Sequence, residues 1–419
     1  MGCRLNHAEG AAIRGALEDA GHEVVVGALA KGSVPDAFLL HSCAVTGSAQ
    51  TEALRHLRGA RRAGVPLVLI SGCVANVEDP AALRAAGADC AVVHAGPVAL
   101  SGGEPPALAG IVHEALSRPR IRTLSHSSTR APVKIQDGCS FRCSYCIVPD
   151  ARGLPRSRPL AEVLEEVRSL AGRGYREIVL TGVNVSCWHE QGSSFVDLIR
   201  AVCAVPGLSR VRMASVEPHT TEREVIDHLA GAESRLCHML HYPLQSGSDR
   251  ILRLMRRRYT AGEYRAAVEY ALARIPDIGL GADIITGFPG ETDADFEETI
   301  RMVRDYPFSN LHVFPYSERP GTPAATMPDS VPVNVRRDRA RRLIALGEEK
   351  RAAFAASFVG RGVEVLVEAV DAAGFASGWT GEYLRAKIPG ATASDVGRLL
   401  SARVESASGD ELLCGAAHG

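Results

Sequence analysis

Between residues 132 and 317 short apolar runs alternate with amphipathic segments, and this rhythm constrains the fold more than any other feature of the chain. The runs at 133–136, 177–182, 211–215, 239–243, 280–286 and 311–316 read as strands. The intervening segments have a helical period. In the first of them Leu160, Val163, Leu164, Val167 and Leu170 make one apolar stripe, Pro159 stands where a first turn tolerates it, and Gly172 and Gly174 stop the run. Six β-α units in succession imply a parallel sheet with right-handed crossovers. Chemistry on such sheets gathers at the carboxyl ends of the strands. The runs here pass into polar or glycine-rich tails: Asp137-Gly138-Cys139, Thr181-Gly182-Val183-Asn184, Ser215-Val216-Glu217-Pro218, Leu244-Gln245-Ser246-Gly247 and Thr286-Gly287-Phe288-Pro289-Gly290-Glu291.

The first tail opens into Cys139-Ser140-Phe141-Arg142-Cys143-Ser144-Tyr145-Cys146, three cysteines spaced CxxxCxxC. An isolated cysteine is ordinarily a small buried hydrophobe. Three in one loop, flanked by Gly138, Ser140 and Ser144, read as ligands. Structural zinc sites are closed by four protein ligands, and iron–sulfur clusters usually take four thiolates. Three thiolates therefore leave one iron of a cubane open to a substrate or cofactor.

Upstream, to about Arg118, lies a smaller α/β unit with buried strands at 38–41 and 67–70 and an amphipathic helix at 51–63 between them. Each strand ends in a cysteine, Cys43 or Cys73, and ligand sites in open parallel sheets lie beyond such ends, so the two share a crevice. Cys3 is the natural third member. Cys90, Cys187, Cys203, Cys237 and Cys414 are left over as ordinary buried or surface cysteines. After about Phe358 the pattern changes: 363–370 alternates, 374–381 is turn-rich, and 402–404 and 412–414 are short strands, which suggests a small β-barrel of the RNA-binding kind.

A length of 419 residues requires two or three domains. The chain has no run of about 18 apolar residues and no signal-peptide pattern, so the expectation is a cytoplasmic protein without a membrane partner. A count of eleven cysteines in that setting points to metal or redox ligands among them and not to a disulfide framework. A net charge of −1 argues against a uniformly basic nucleic-acid coat but allows local patches. Three are present: Arg256 to Arg258; Arg336, Arg337, Arg339, Arg341 and Arg342; and Arg152, Arg156 and Arg158 behind the cysteine loop.

The CxxxCxxC loop, with Tyr145 before its last cysteine, resembles the radical S-adenosylmethionine superfamily. With Gly2-Cys3-Arg4-Leu5-Asn6, Ser42-Cys43-Ala44-Val45-Thr46, Gly72-Cys73-Val74-Ala75, Gln136-Asp137-Gly138-Cys139 and Pro243-Leu244-Gln245-Ser246-Gly247-Ser248 in order, the chain resembles the methylthiotransferases over essentially its whole length. That family attaches a methylthio group to transfer RNA or to a ribosomal protein. The resemblance implies an N-terminal α/β methylthiotransferase domain (1–118), a partial (β/α)6 radical S-adenosylmethionine barrel (125–355) and a TRAM-like β-barrel (356–419). Arg4, the run Met255-Arg256-Arg257-Arg258-Tyr259-Thr260 and Trp379-Thr380-Gly381-Glu382-Tyr383 resemble the subgroup acting at C2 of N6-threonylcarbamoyladenosine beside the anticodon. The isopentenyladenosine subgroup usually has glutamine after Gly-Cys. The ribosomal-protein subgroup, which modifies an aspartate, usually has proline there. A reading from another class is a non-catalytic metal- or RNA-binding protein with zinc in the loop.

By the same resemblance, Cys139, Cys143 and Cys146 hold one [4Fe-4S] cluster that reduces S-adenosylmethionine, and Cys3, Cys43 and Cys73 hold a second that carries the sulfur to be inserted. The cofactors take the hard steps, so no catalytic triad or carboxylate pair is expected, and His41, His219 and His241 read as packed histidines. Tyr145 is expected against the adenine of the cofactor, Thr181, Gly182 and Asn184 near its methionine amino group, and Ser215 and Glu217 near its ribose. Gly287 and Gly290 read equally well as a close backbone approach to the adenine or as a plain strand-to-helix turn. The implied partners are the transfer RNA anticodon stem-loop, gripped by Arg256 to Arg258 and the β-barrel, an electron donor such as a flavodoxin or ferredoxin, and a sulfur source. The family normally has a strand before its first Gly-Cys. Here that motif begins at residue 2, which predicts that the true start lies upstream or that this cluster is loosely held.

Overall fold

Four consecutive apolar residues, Leu67 to Ile70, face two cores at once. Val68 and Ile70 pack with Leu57, Ala60 and Val74, while Leu69 packs with Ile13, Leu17, Cys90 and Val112. A parallel strand covered on both faces has to be apolar throughout, and the rest of this part of the chain is built around it. The computed structural model of the protein describes residues 3–29, 32, 34–117, 129–232 and 234–417. Gly2 of the first cysteine motif, and the expected passage between the first two domains at 118–125, lie outside the described residues.

The chain forms two compact units, Met1–Ser125 with Asp137–Arg156 and Ser317–Ala325, and His126–Gln136 with Ser157–Tyr316 and Thr326–Gly419. The cysteine loop thus belongs to the first unit, although the strands on either side of it in sequence belong to the second. The first unit contains α1 (Arg4–Asp19), β1 (Ala37–Ser42), α2 (Gly47–Arg62), β2 (Leu67–Gly72), α3 (Cys73–Val77), α4 (Pro80–Ala85), β3 (Cys90–Val93), β4 (Gly96–Ala99), α5 (Ala107–Ser117) and α6 (Val148–Arg152). Its sheet runs β1-β2-β3-β4, parallel except for β4. Helix α2 covers one face, and α1 and α5 cover the other. The helix expected at 51–63 starts four residues earlier because Thr46 caps it, its hydroxyl accepting from Ala49 N at 3.2 Å.

In the second unit the expected six strands are β5 (Arg130–Lys134), β8 (Glu177–Thr181), β9 (Arg210–Met213), β10 (Met239–His241), β11 (Gly279–Thr286) and β12 (Phe308–Pro315). The two-residue strands β6 (Gln136–Asp137) and β7 (Arg156–Ser157) pair with each other where the chain passes between units. The six form two three-stranded parallel sheets, β5-β8-β9 and β10-β11-β12, joined by a parallel bridge between Val211 and Leu236. Helices α7 (Leu160–Gly172), α8 (Phe195–Cys203), α9 (Arg223–Leu229), α10 (Asp249–Leu254), α11 (Ala261–Arg274), α12 (Asp293–Asp305) and α13 (Val333–Ala356) supply the crossovers and cover. This is the open α/β barrel that the alternation predicts.

The chain ends in a closed five-stranded barrel of order β13-β14-β15-β17-β16: β13 (Gly362–Val370), β14 (Phe375–Trp379), β15 (Arg385–Pro389), β16 (Leu399–Ser408) and β17 (Glu411–Cys414). The segment read as turn-rich is mostly strand β14. Its Gly378 mimics a turn signal, but a Cβ there would stand 2.0 Å from Leu366 O, so glycine is present because two barrel strands approach closely. No helix among the described residues is long and apolar enough to cross a membrane.

Candidate active site

Cys3 is the N-cap of α1, Cys43 follows β1, and Cys73 opens α3 directly after β2. Gly72 brings the last two together: its φ is 84°, and a Cβ would stand 2.5 Å from Ser42 O. The free Cys3 and Cys43 thiols are hydrogen-bonding neighbours, Cys3 Sγ donates to Asn6 Oδ1 at 3.0 Å, and Cys43 Sγ accepts from Val45 N at 3.5 Å. The bond with Cys43 is the main reason the Cys3 thiol falls to about 6, while the same bond and burial push Cys43 up. Burial raises Cys73, and the neighbouring Arg152 guanidinium opposes that rise. Three soft thiols converging beside a cation and a backbone donor have the donor chemistry of an iron–sulfur site.

Arg152 was grouped with a basic surface patch in the sequence reading; it is buried. It donates to both carboxylate oxygens of Glu9 at 2.9 Å and to Asp137 Oδ1 at 3.1 Å. Burial alone would depress the guanidinium, but the hydrogen bonds and charge of Glu9 hold it well above its ordinary value. Glu9 in turn meets His41 Nε2 at 3.1 Å, and His41 Nδ1 meets Ser71 Oγ at 2.9 Å. A continuous polar network therefore runs from β2 through α1 to Asp137, two residues before Cys139. His41 is packed within it, both ring nitrogens held by hydrogen bonds.

The second cysteine set lies in the same unit. Gly138, φ 73°, has Leu154 O 2.1 Å from the position of a Cβ, which pins the loop entry against the segment that leaves it. Cys139 N donates to Gly153 O at 3.1 Å, Phe141 N to Cys139 Sγ at 3.4 Å, and Cys146 N to Cys143 O at 3.0 Å. Ser144 is fully buried and its carbonyl accepts from Ala324 N at 2.8 Å. Cys143 is buried, while Cys139, Cys146 and Tyr145 are half-exposed. The hydrogen-bonded loop with partly open sulfurs also fits a cluster.

Among the strand-end positions of the second unit, Gln136 organises the first group. Its side-chain oxygen accepts from Asn184 N at 2.8 Å and Val183 N at 3.1 Å, and Gly182 lies so close that a Cβ would meet Gln136 O at 2.7 Å. Thr181 is buried and its carbonyl accepts from Ile135 N. Ser215 is exposed; Glu217 is half-buried and paired with Arg257. For Gly287 the turn reading has the support: a Cβ would collide with the Arg336 side chain at 2.2 Å, and Gly287 N donates to Glu291 Oε2 at 2.7 Å. Gly290, φ 81°, donates to Asp329 O at 2.8 Å in the same turn.

The basic patches are partly structural. Arg257 is buried against Glu217 and Tyr259, leaving Arg256 and Arg258 exposed. Arg336 donates to Val331 O and Tyr316 O, and Arg339 pairs with buried Glu291, so only Arg337, Arg341 and Arg342 of that group face solvent. Arg158 pairs with buried Glu166, and Arg156 alone of its group is largely exposed. Sequence reading also missed a polar row, His241, Asp283 and His312, whose ligand atoms lie within 4.8 Å of one another. Each residue sits on a different strand, so only the register reveals the group.

Residues 133–303 match the radical SAM superfamily model, and residues 1–93 match the uncharacterized protein family UPF0004. The chain is 31% identical over 96% of its length to the threonylcarbamoyladenosine tRNA methylthiotransferase MtaB of Bacillus subtilis (strain 168), covering 92% of that protein. It is 36% identical over 88% of its length to the tRNA-2-methylthio-N(6)-dimethylallyladenosine synthase of Erythrobacter litoralis (strain HTCC2594), covering 85% of that protein. In fold it is similar to the radical S-adenosylmethionine methyltransferase TsrM of Kitasatospora setae, with a TM-score of 0.57 and 17% identity over 76% of this chain and 71% of that one. The chain belongs to the radical S-adenosylmethionine methylthiotransferases, tRNA-modifying enzymes that use S-adenosylmethionine and [4Fe-4S] clusters.

Proposed function

We propose that this enzyme inserts a methylthio group at C2 of N6-threonylcarbamoyladenosine next to the anticodon. The observation that carries the choice of base is the match to a threonylcarbamoyladenosine enzyme over 96% of the chain. Arg4, the Met255 to Thr260 run and the Trp379 to Tyr383 run support it. Dimethylallyladenosine is the second reading, favoured by the higher identity, 36%, of a synthase acting on that base.

When bound, S-adenosylmethionine and two iron–sulfur clusters supply the one-electron chemistry and the sulfur. In this reading Cys139, Cys143 and Cys146 hold one cluster and Cys3, Cys43 and Cys73 the other. The positive charge of Arg152 favours the Cys73 thiolate, and Glu9 and Asp137 keep that guanidinium in place. Tyr145, Thr181, Gly182, Asn184, Ser215 and Glu217 are the proposed cofactor contacts, with Gln136 fixing the backbone of the Gly182 to Asn184 turn. Gly287 and Gly290 shape the turn after β11. Exposed Arg256 and Arg258 and the C-terminal barrel grip the anticodon stem-loop, in a cytoplasmic setting that also supplies a flavodoxin- or ferredoxin-type electron donor and a sulfur source. The three domains at 1–118, 125–355 and 356–419 are the division of labour this reading requires.

Mass spectrometry of transfer RNA nucleosides from a deletion strain and its complemented counterpart tests the proposal. Loss of 2-methylthio-N6-threonylcarbamoyladenosine, restored on complementation, is expected. Loss of the dimethylallyl product instead would overturn the choice of base.

A further inference from the structure

One face of the β10-β11-β12 sheet has a composition that neither a buried core nor an ordinary solvated surface explains. The register pairs His241 with Gly281, Gly281 with Asn310, Asp283 with His312, and Ile285 with Phe314, so these side chains share a face. The opposite face is core: Leu280, Ala282 and Ile284 are fully buried, and Leu311 lies against Gly347 of α13. On the shared face a polar row, His241, Asp283, Asn310 and His312, stands beside an apolar row, Ile285 and Phe314. The side chains of Asp283 and His312 are 26% and 49% exposed, and Phe314 is 43% exposed, so both rows can be reached.

The polar row is not satisfied by its own members. Asp283 Oδ1 lies 3.1 Å from both His241 Nε2 and His312 Nδ1, yet the buried His241 Nε2 has no partner of hydrogen-bond geometry. Among the described residues nothing bonds Asp283 Oδ2. Asn310 Nδ2 lies 3.1 Å from His312 Nε2 and has a second N–H to give. The row thus offers the second carboxylate oxygen of Asp283 as an acceptor and the second amide N–H of Asn310 as a donor to an incoming group, with Phe314 beside them as an aromatic shelf. Gly281 makes the floor possible, since a Cβ there would stand 2.6 Å from His241 Nδ1.

We infer that this face discriminates between hypermodified adenines: Phe314 and Ile285 receive the base, while Asp283 and Asn310, held in place by His312 between them, bond a polar N6 substituent carrying hydroxyl, amide and carboxylate groups. His241 is the positioning residue behind Asp283. The inference rests on the function proposed above and names the residues that enforce it. A dimethylallyl group has no polar atom and would leave the row unpaired. A site built around hydrogen bonds rejects an analogue lacking them far more strongly than an apolar pocket rejects an added polar group.

The test uses the anaerobically prepared holoenzyme and anticodon stem-loop RNAs carrying either threonylcarbamoyladenosine or dimethylallyladenosine, with kcat/KM and equilibrium RNA binding measured for both. The wild type is expected to prefer the threonylcarbamoyl RNA by about 100-fold or more, since two lost hydrogen bonds to a charged or buried group amount to that ratio. Asp283→Asn and His312→Phe should each lower kcat/KM for that RNA by about tenfold or more, weaken its binding, and narrow the preference. Iron content and RNA-independent cleavage of S-adenosylmethionine should stay at wild-type levels. Because His312 is half-exposed, its substitution does not threaten folding. Unchanged kinetics and binding in both variants would overturn the inference while leaving the proposed function standing. A wild type that uses only the dimethylallyl RNA would overturn the function itself. One tightly bound Mn2+ per chain, abolished by Asp283→Asn with no change in RNA preference, would make the row a cation site and refute the discrimination.

Discussion

Substitution of Arg152 by Met should loosen the iron bound in the first unit while leaving every cysteine in place. Arg152 makes two contacts with Glu9 at 2.9 Å and one with Asp137 at 3.1 Å, and the Arg152 and Glu9 side chains are 5% and 4% exposed. The Arg152–Glu9 pair, one positive and one negative charge in bidentate contact, carries about 6 kcal/mol of Coulomb attraction at an effective dielectric of 20, most of it offset by the desolvation of the ions. Removing one partner of such a pair typically costs about 3–5 kcal/mol, because the other charge stays buried alone. Glu9 keeps its contact with His41, which sets the expectation at the lower end, about 3 kcal/mol or roughly a hundredfold in the population of locally opened states. The assay is the anaerobic rate of iron transfer from holoenzyme to excess chelator. Arg152→Met should release iron about a hundredfold faster when opening limits the reaction. The double variant Glu9→Gln/Arg152→Met, which removes both charges, should return to within about tenfold of wild type, since replacing a whole buried pair is often nearly neutral. A single variant with the wild-type release rate would refute the reasoning.

Gly138→Ala should lose about half of the bound iron, because a residue with a Cβ at φ 73° is strained by about 1–2 kcal/mol and its methyl group would sit 2.1 Å from Leu154 O; full iron stoichiometry in the purified variant would contradict this. Arg257→Glu should destabilise the protein by about 3 kcal/mol by placing like charges where the buried ion pair with Glu217 now stands, a shift read from its urea midpoint. Arg258→Glu should leave that midpoint unchanged and weaken transfer RNA binding, with a salt dependence whose slope falls by about one; the reverse pattern would move the RNA contact to Arg257. Burial opposes ionisation of Glu177, but the Arg212 guanidinium 2.8 Å away prevails and holds the carboxyl below its ordinary 4.5. Its stabilising effect is therefore complete above that value and lost as pH falls through the lower folded-state value. The urea midpoint of the wild type should drop more steeply below pH 4.5 than that of Glu177→Gln, and parallel curves would show that the pair does not govern acid stability.

The parts of this molecule that sequence revealed share a local cause, and those it concealed share a distant one. A buried parallel strand declares itself by its own residues, as at Leu67 to Ile70 and 280–286, and a strand-end cysteine or glycine is legible because the turn it makes is local. Strand β15, whose Arg385 and Lys387 alternate with buried Ala386 and Ile388, offers too short a pattern to distinguish from a loop. Charge is harder still. Arg152, Arg257, Arg336 and Arg339 look the same in sequence as the exposed arginines beside them, and what separates them is a carboxylate or carbonyl brought from elsewhere in the chain, 143 positions away for Glu9 and Arg152. A run of arginines is therefore a poor guide to an RNA surface until each guanidinium has been checked for an internal acceptor. In this chain that check sets Arg152, Arg257, Arg336 and Arg339, each held by a carboxylate or carbonyl from elsewhere in the chain, apart from the exposed Arg256 and Arg258, to which the proposed function assigns phosphate contacts. The His241 row follows the same rule in reverse, since three unremarkable positions on three strands become one site only when the register lines them up.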